Sequence, residues 1–389
     1  MVNTKKALPI LFLVMFLVMV GFGIIIPVLP FYAENLGATP TQLGLLMAVY
    51  SLMQLLFAPM WGRISDKIGR KPVMLAGIAG LAISFFLMAF AGSLWMLFAA
   101  RIIGGLLSSA NMPTVMAYVA DITTPENRSK GMGIVGAAVG MGFVFGPAIG
   151  GIFSKSSMSL PFVLAGCSSI LTLVLVALLL QESSSKESRG RNSQQKAPFS
   201  VALRGASGML FFLQFFISLS LAGLEATFAY FAAKRAGLDS TSLGYIFMIM
   251  GLAGAFVQGG LIGRLTKKFG EGKVIQGGII VSAIGFALIL LVDSFTTAAV
   301  FLTIFGIGNG VIRPSVSSVL TKTINTGHGS VTGLLSSFDS LGRIAGPPLG
   351  GLLYSISIGL PYISGAVLSI AALFLYRVYH TRLKHGALS

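Results

Sequence analysis

Gly62-Arg63-Ile64-Ser65-Asp66-Lys67-Ile68-Gly69-Arg70-Lys71 is the stretch whose reading decides the fold. It sets four basic residues and one acid between two long apolar runs, so it cannot itself lie in hydrocarbon. Gly62 and Gly69 permit close turns and Pro72 fits the first turn of a following helix, so the spacing predicts a short, tight loop. Asp66 stands where it could cap a helix or hold a neighbouring arginine. The same design returns as Gly263-Arg264-Leu265-Thr266-Lys267-Lys268-Phe269-Gly270, again between apolar runs, which sets it apart from an ordinary basic loop.

Composition removes the soluble classes. The chain of 389 residues is 55% hydrophobic and 10% charged, where an average globular chain is about 25% charged. That polar fraction cannot cover a water-soluble object of this size, so the partner surface must be the lipid bilayer. The net charge of +16 does not point to nucleic acid, because the basic residues sit in short segments between apolar runs. Cys167 stands alone in an apolar run, and His328, His380 and His385 fall near loops or the tail, so no disulfide framework or metal centre is expected. Gly270-Glu271-Gly272-Lys273-Val274 lacks the spacing and the hydroxyl residue of a phosphate loop. ATP and other cofactors are therefore not expected, and no catalytic constellation marks an enzyme.

Runs of about 20 apolar residues can cross a bilayer as helices. Twelve are expected: 7–32, 42–61, 73–92, 94–118, 131–153, 160–180, 206–232, 241–262, 273–292, 297–319, 329–353 and 360–378. Lys5 and Lys6 before an apolar stretch resemble a signal peptide, but the run continues to Tyr32 without a small-residue cleavage site and reads as a retained first helix. With the N-terminus inside, the tails and inner loops carry 21 Lys and Arg, and the outer loops carry only Lys155, Lys234 and Arg235. That bias places both termini in the cytoplasm.

The polar segment Gln181–Arg204 reads as a cytoplasmic linker. The expected organisation is a six-helix bundle at 1–180, a linker at 181–205 and a second bundle at 206–389. The halves are related. A shift of 201 residues lays Gly62 on Gly263 and Pro113 on Pro314, and a shift of 200 lays Gly146-Pro147-Ala148-Ile149-Gly150-Gly151 on Gly346-Pro347-Pro348-Leu349-Gly350-Gly351. An all-α membrane protein of two pseudo-symmetric bundles follows, with a ligand site expected near the midplane where the repeats meet.

Three motifs carry a family resemblance. Gly62–Lys71 resembles the signature between the second and third spans of the major facilitator superfamily. Arg101-Ile102-Ile103-Gly104-Gly105 resembles its fourth-span basic motif, and Gly142-Phe143-Val144-Phe145-Gly146-Pro147-Ala148-Ile149-Gly150-Gly151 its fifth-span antiporter motif. Gly21-Phe22-Gly23-Ile24-Ile25-Ile26-Pro27-Val28-Leu29-Pro30 also fits the drug-exporter pattern. The chain thus resembles the twelve-span bacterial drug/proton antiporters of the Bmr and NorA type over nearly its whole length.

Charges inside spans cost about 2.5–3.5 kcal/mol each at a helix centre, so those retained call for a use. Glu225 lies well inside the seventh span, where a carboxyl group could exchange a proton for a cationic substrate; the matching position in the resembled exporters is also acidic. A structural carboxyl bonded within the bundle is the alternative. Asp339 and Arg343, four apart, share one helix face, which predicts a local ion pair, with Asp339 as a second proton site the sharper reading. Arg313 precedes Pro314 as an arginine does in the resembled exporters, and could hold Glu225 ionised in one conformation. Those relatives carry an acid where this chain has Gly310, so a second acid at that arginine would have to be Asp339. Arg101 is implied in proton movement by the resemblance, or is held structurally by carbonyls.

Asp66, Arg70, Asp121 and Arg128, with Gly62, form a candidate charge network locking one conformation. Gly142, Gly146, Pro147, Gly150 and Gly151 place a small, bent face along span five, repeated by Gly346 and Pro347. Its expected use is close packing across the interface of the halves, or simply tight packing. Met53, Gln54, Asn111, Met112, Phe143, Phe228, Phe247 and Phe338 are mid-span and could line a binding pocket, or each be core or lipid-facing. Tetracycline exporters of this group carry an acid where this chain has Val18, which disfavours a metal–tetracycline substrate. The expected function is a monomeric plasma-membrane antiporter exporting amphipathic, often cationic drugs for protons, with multidrug efflux and antibiotic resistance as its setting. Transport of one metabolite (a sugar, amino acid or lipid) and a non-transporting membrane sensor are the alternatives.

Overall fold

The computed structural model describes residues 4–183, 207–323 and 328–386. The described residues form twelve helical spans in two pseudo-symmetric bundles. They are α1 Thr4–Asn35, α2 Pro40–Ile68, α3 Arg70–Ala89, α4 Leu94–Ile122, α5 Pro125–Ser154 and α6 Leu160–Leu179. After them come α7 Ser207–Ala236, α8 Ser240–Phe269, α9 Glu271–Ile289, α10 Phe295–Thr323, α11 His328–Ile356 and α12 Leu360–Gly386. Eleven are long and apolar enough to cross a membrane. The other, α11, carries Asp339 and Arg343 within its length. From residue 184 the expected linker lies outside the described residues.

The decisive stretch folds differently from the loop expected of it. α2 continues as helix through Gly62 to Ile68 and α3 begins at Arg70, leaving Gly69 as the entire turn. Its φ of 111° lies where a Cβ is disfavoured, so glycine makes a one-residue reversal possible. Gly270, at φ 80°, does the same between α8 and α9. Charges alone do not end a helix: Lys, Arg and Ser continue it, and only the left-handed residue stops it. At 29 residues, or about 43 Å at 1.5 Å per residue, α2 outruns the hydrocarbon and carries its charged end into the polar zone.

Two spans are irregular. α4 breaks at Ser109–Ala110 into Leu94–Ser108 and Asn111–Ile122. Pro113 has no N–H to give the Ser109 carbonyl, which accounts for the interruption. Within α8, Val257–Leu261 forms a π-helical turn containing Gly259 and Gly260.

Contacts group the described residues into two compact units, 4–38, 49–183 and 240–248 in one, and 39–48, 207–239, 249–323 and 328–386 in the other. In the first, Tyr118, Phe85 and Phe162 are fully buried; in the second, Phe211, Phe228, Phe231 and the Phe286–Phe305 pair at 4.7 Å fill the core. Outward faces carry Trp95, Leu178, Phe256 and Phe374, each more than two-thirds exposed, as suits helices solvated by lipid.

Three glycines of the α5 face meet a helix of their own half rather than one of the other half. Gly142, Gly146 and Gly150, four apart, share one side, and that side lies on α1 of the same unit: a Cβ on Gly146 would stand 2.7 Å from the Val20 carbonyl oxygen and from Gly23 Cα. Gly151, one residue round the helix, turns instead to the start of α8, where its Cβ would be 2.7 Å from the Ser240 carbonyl oxygen. The second unit repeats this. Gly346 and Gly350 lie on Leu219 and Gly223 of α7, and Gly351 on Pro40 and Thr41 at the start of α2.

Gly146→Ala therefore sets a helix-propensity gain of about 1 kcal/mol against overpacking of about 1–3 kcal/mol. Thermal unfolding in detergent should show a lowered midpoint for Gly146→Ala. Gly140→Ala, where a Cβ meets nothing within 4 Å, should be unchanged or higher. Equal effects at both positions would remove close packing as the reason for Gly146.

Candidate functional site

The second unit gathers the ionisable residues of three spans. Gly342 brings α11 so near α7 that its Cβ would lie 2.7 Å from the Phe215 carbonyl oxygen and from Ser218 Cβ. With the backbones held there, Asp339, one turn before Gly342, stands beside Ser218, and Arg343 stands beside Glu225. Ser218 Oγ donates to Asp339 Oδ1 at 2.5 Å, and Gln214 Nε2 donates to the same oxygen at 3.1 Å and to Ser218 Oγ at 3.0 Å. Asp339 Oδ2 faces Arg343 Nε at 3.5 Å and Arg313 Nη1 at 3.6 Å. Arg343 Nη1 in turn lies 3.5 Å from Glu225 Oε2. The result is a chain of alternating sign, Glu225–Arg343–Asp339–Arg313, with no net charge.

The expected Asp339–Arg343 pair is present, but it is one link of this chain rather than a local pair. The Arg313–Glu225 contact expected of one conformation is not formed in this one. Arg313 sits on Asp339 and Arg343 sits on Glu225, because the glycine face of α11, not α10, lies against α7. Asp339 thus supplies the acid at Arg313 that Gly310 does not. The two acids differ. Asp339 Oδ1 accepts from a hydroxyl and an amide and its Oδ2 faces two guanidinium groups at 3.5 and 3.6 Å, whereas Glu225 faces one guanidinium at 3.5 Å.

In the first unit Arg101 is 4% exposed and lies over the Tyr50 ring, 4.3 Å from its centroid. Its Nε has no hydrogen-bond partner among the described residues. The Tyr50 hydroxyl meets Ser108 Oγ at 2.6 Å and accepts from Gln54 Nε2 at 3.1 Å. Phe22 packs edge-on to Tyr50, with ring centroids 5.0 Å apart, and lies 6.4 Å from Phe143. Of the mid-span residues proposed to line a pocket, Gln54 and Phe143 thus join one aromatic cluster with Arg101. Met53 is half-buried and Met112 and Phe143 are exposed, while Asn111, Phe228, Phe247 and Phe338 are buried at 4% or less. In this conformation those three rings present almost no surface to a ligand; Phe338 packs on Phe211 and Phe212.

At the Gly69 end, Arg70 joins two acids: Nη1 lies 2.5 Å from Asp66 Oδ1, and Nε donates to Asp121 Oδ2 at 3.1 Å. Its Nη1 also donates to Ser65 Oγ at 2.7 Å. Glu182 accepts the backbone N–H groups of Arg70 and Lys71 at 2.8 and 3.0 Å, capping α3. Arg128 stands apart from this group, donating to the Ala120 carbonyl at 3.4 Å. The second unit has an inverted counterpart: Glu271 pairs with Lys322 at 2.5 Å and accepts from Ser318 Oγ at 2.6 Å. Arg70 and Glu271 are 201 positions apart, as are Asp121 and Lys322.

Sequence reasoning missed Gln214, Ser218, Tyr50 and the Glu271–Lys322 pair. The first two were findable as polar residues four apart on an apolar span, and the pair by carrying the 201-residue shift onto Arg70 and Asp121.

The profile of the Major Facilitator Superfamily matches residues 11–270 and again 210–387. The chain is 30% identical to Multidrug resistance protein 2 of Bacillus subtilis (strain 168), over 99% of this chain and 98% of that protein. It is 31% identical to the class H tetracycline resistance protein of Pasteurella multocida, over 97% of each. The solved structure of the nucleoside transporter NupG superposes with a TM-score of 0.81 at 14% identity, covering 97% of this chain and 100% of that one, a likeness of fold alone.

Removing a hub acid should cost more than removing a terminal one. Asp339→Asn leaves Arg313 and Arg343 with Glu225 as their remaining acid in the chain, so its loss of thermal stability in detergent should exceed that of Glu225→Gln. Its size should fall below the roughly 3–5 kcal/mol of a fully buried broken pair, because Arg313 is half-exposed. The reverse order would show that Asp339 is not the hub.

Proposed function

This chain belongs to the Major Facilitator Superfamily and is a multi-pass secondary transporter of the membrane, and from that premise we propose that it exports amphipathic, often cationic compounds across the plasma membrane in exchange for protons. The observation that carries the reading is the inequality of the two acids. Asp339 is fully engaged and holds the two arginines in place. Glu225 keeps one contact, to Arg343 at 3.5 Å, so it can take a proton or face a cation with fewer interactions to give up.

A proton added to Glu225 forms an O–H bond and releases Arg343 to Asp339 alone. A cationic substrate facing the bare carboxylate neutralises it in the same way, so it cannot bind while the proton is there. Proton and cargo therefore compete for one group, which is the requirement of antiport. Arg101, stacked on Tyr50 in the first unit, and Arg313 on Asp339 complete the coupling set. Met53, Gln54, Asn111, Met112, Phe143, Phe228, Phe247 and Phe338 are its candidate lining, the buried ones coming into use in another conformation of the alternating cycle. The Asp66–Arg70–Asp121 network at Gly62–Gly69, with Arg128 nearby, and the Gly146-Pro147, Gly150 and Gly346-Pro347 faces act as the elements that hold one state. The two halves, 1–180 and 206–389, joined by 181–205, move relative to one another in that cycle, with the protein monomeric and both termini cytoplasmic.

The named relatives supply the drug class. One is a multidrug resistance protein and the other a tetracycline resistance protein. Val18 is apolar and 3% exposed, so the first span offers no carboxylate at that position to a metal chelate, which favours the multidrug reading.

Everted vesicles under an imposed pH gradient test the competition. Wild-type protein should move a cationic dye when the gradient is applied. Glu225→Gln, present in the membrane in equal amount, should lose at least about tenfold of that flux, since a charge interaction worth roughly 1.4 kcal/mol is already a factor of ten. Undiminished gradient-driven flux in Glu225→Gln would remove the residue from coupling, and a single metabolite outcompeting a panel of dyes would replace drug export with specific transport.

A further inference from the structure

The second unit holds a groove of about 370 Å³ against the Gly270 end, formed by α8, α9 and α10. That volume lies within the roughly 300–1,000 Å³ of small-molecule sites. Its walls are apolar, from Val257, Leu261 and Leu265 on α8 to Val281 and Ile307, and Lys273 is its one charged lining residue. Local backbone features shape it. The π-helical turn Val257–Leu261 supplies two of its lining residues, Val257 and Leu261. Gly278 and Gly308 let α9 and α10 approach until a Cβ on Gly278 would be 2.8 Å from the Gly308 carbonyl oxygen. Gly277 lines the groove itself, and a Cβ there would meet nothing within 4 Å.

The rim is basic. Lys273 lines the groove, and Arg264, Lys267 and Lys268 lie on the last turns of α8, whose Leu265 and Phe269 also line it; all four basic residues are exposed and fall within ten residues of sequence. The acid among them, Glu271, is taken by Lys322 at 2.5 Å, so it does not neutralise its neighbours. Lys273 has no carboxylate partner among the described residues. An apolar slot on membrane-spanning helices, closed at its polar end by unneutralised lysines, matches a molecule with a long hydrocarbon tail and a negative head.

We propose that this groove is a binding site for an anionic phospholipid, one acyl chain lying along α8 and α9 and the phosphate resting on Lys273 and the basic end of α8. Charge complementarity selects this occupant. A zwitterionic lipid offers no net charge to the rim, and a second copy of this chain would set the same basic rims against each other. The site is independent of Glu225 and of the drug-export reading.

Native mass spectrometry of the detergent-purified protein, with phosphatidylglycerol or phosphatidylcholine of identical chains, tests it. Wild-type protein should retain phosphatidylglycerol with at least about a fivefold preference, the rough worth of one basic residue at an anionic headgroup. Lys273→Gln should lose about fivefold of that preference, and Gly277→Leu, filling the slot, should lower retention of both lipids. Millimolar inorganic phosphate should not displace the lipid. Equal retention of the two lipids, unchanged retention in both variants, displacement by phosphate, or a dimer in place of a lipid adduct would each overturn the assignment. Should Gly277→Leu not purify as a single species, phosphatidylglycerol carrying a diazirine in its chain decides on the wild-type protein: labelling within 257–281 or 307–311 upholds the site, and labelling elsewhere refutes it.

Discussion

Helices in lipid gain nothing by hiding apolar side chains from one another, because acyl chains are as apolar as leucine. What holds each bundle of this protein is therefore close approach of backbones, and glycine decides where that approach occurs. Gly146 and Gly150 on α1, and Gly346 and Gly350 on α7, bring main chains into van der Waals contact along matching lines in the two units. Gly151 and Gly351, one residue further, do the same for the starts of α8 and α2, where Ser154 Oγ meets Ser240 Oγ at 2.7 Å and Thr41 Oγ1 meets Ser355 Oγ at 3.4 Å. Dispersion and these short polar contacts replace the hydrophobic effect that would drive such packing in water.

The same constraint positions the charges. An unpaired carboxylate or guanidinium in hydrocarbon is costly, so the four in the second unit persist by meeting one another. They meet because Gly342 and Gly346 have already fixed α11 on α7, which sets Asp339 level with Ser218 and Arg343 level with Glu225. Packing comes first and electrostatics follows from it. The unequal coordination of Asp339 and Glu225 is a consequence: Ser218 and Gln214 lie on the turns of α7 that face Asp339, whereas Glu225, itself on α7, meets α11 at Arg343, 3.5 Å away.

The twelve spans and the duplication of the halves were legible in the sequence because length, hydropathy and a shift near 200 residues are one-dimensional signals. The partners of the glycine faces were not. Spacing shows that Gly142, Gly146 and Gly150 share a side, but which helix meets that side depends on the arrangement of all its neighbours. Nor could spacing choose between Arg313 and Arg343 as the partner of Glu225, since both lie in spans and differ only in the helix that brings them. The Gly62–Lys71 stretch misled for a local reason. Its charges suggested a loop, yet every residue from Gly62 to Ile68 tolerates a helix, and a single positive φ at Gly69 completes the turn.

The pair of ion pairs at the two one-residue turns shows how much a duplicated fold constrains. Arg70 with Asp121 and Glu271 with Lys322 occupy equivalent positions, each beside a left-handed glycine, with the sign of both charges reversed. An opposed pair is required there: α3 and α9 begin, and α4 and α10 end, in the polar zone, and a bond across the two ends fixes their separation. Either polarity meets that requirement, because the Coulomb energy of a pair is unchanged when both signs are inverted. The helix dipole does distinguish them. Glu271 at the start of α9 and Lys322 at the end of α10 each lie at the favourable terminus, whereas Arg70 and Asp121 lie at the unfavourable ones. In the first unit Glu182 accepts the N–H groups at the start of α3 and so supplies the negative charge that Arg70 lacks. The inverted pair thus needs no added cap, and the original pair acquires one from beyond α6.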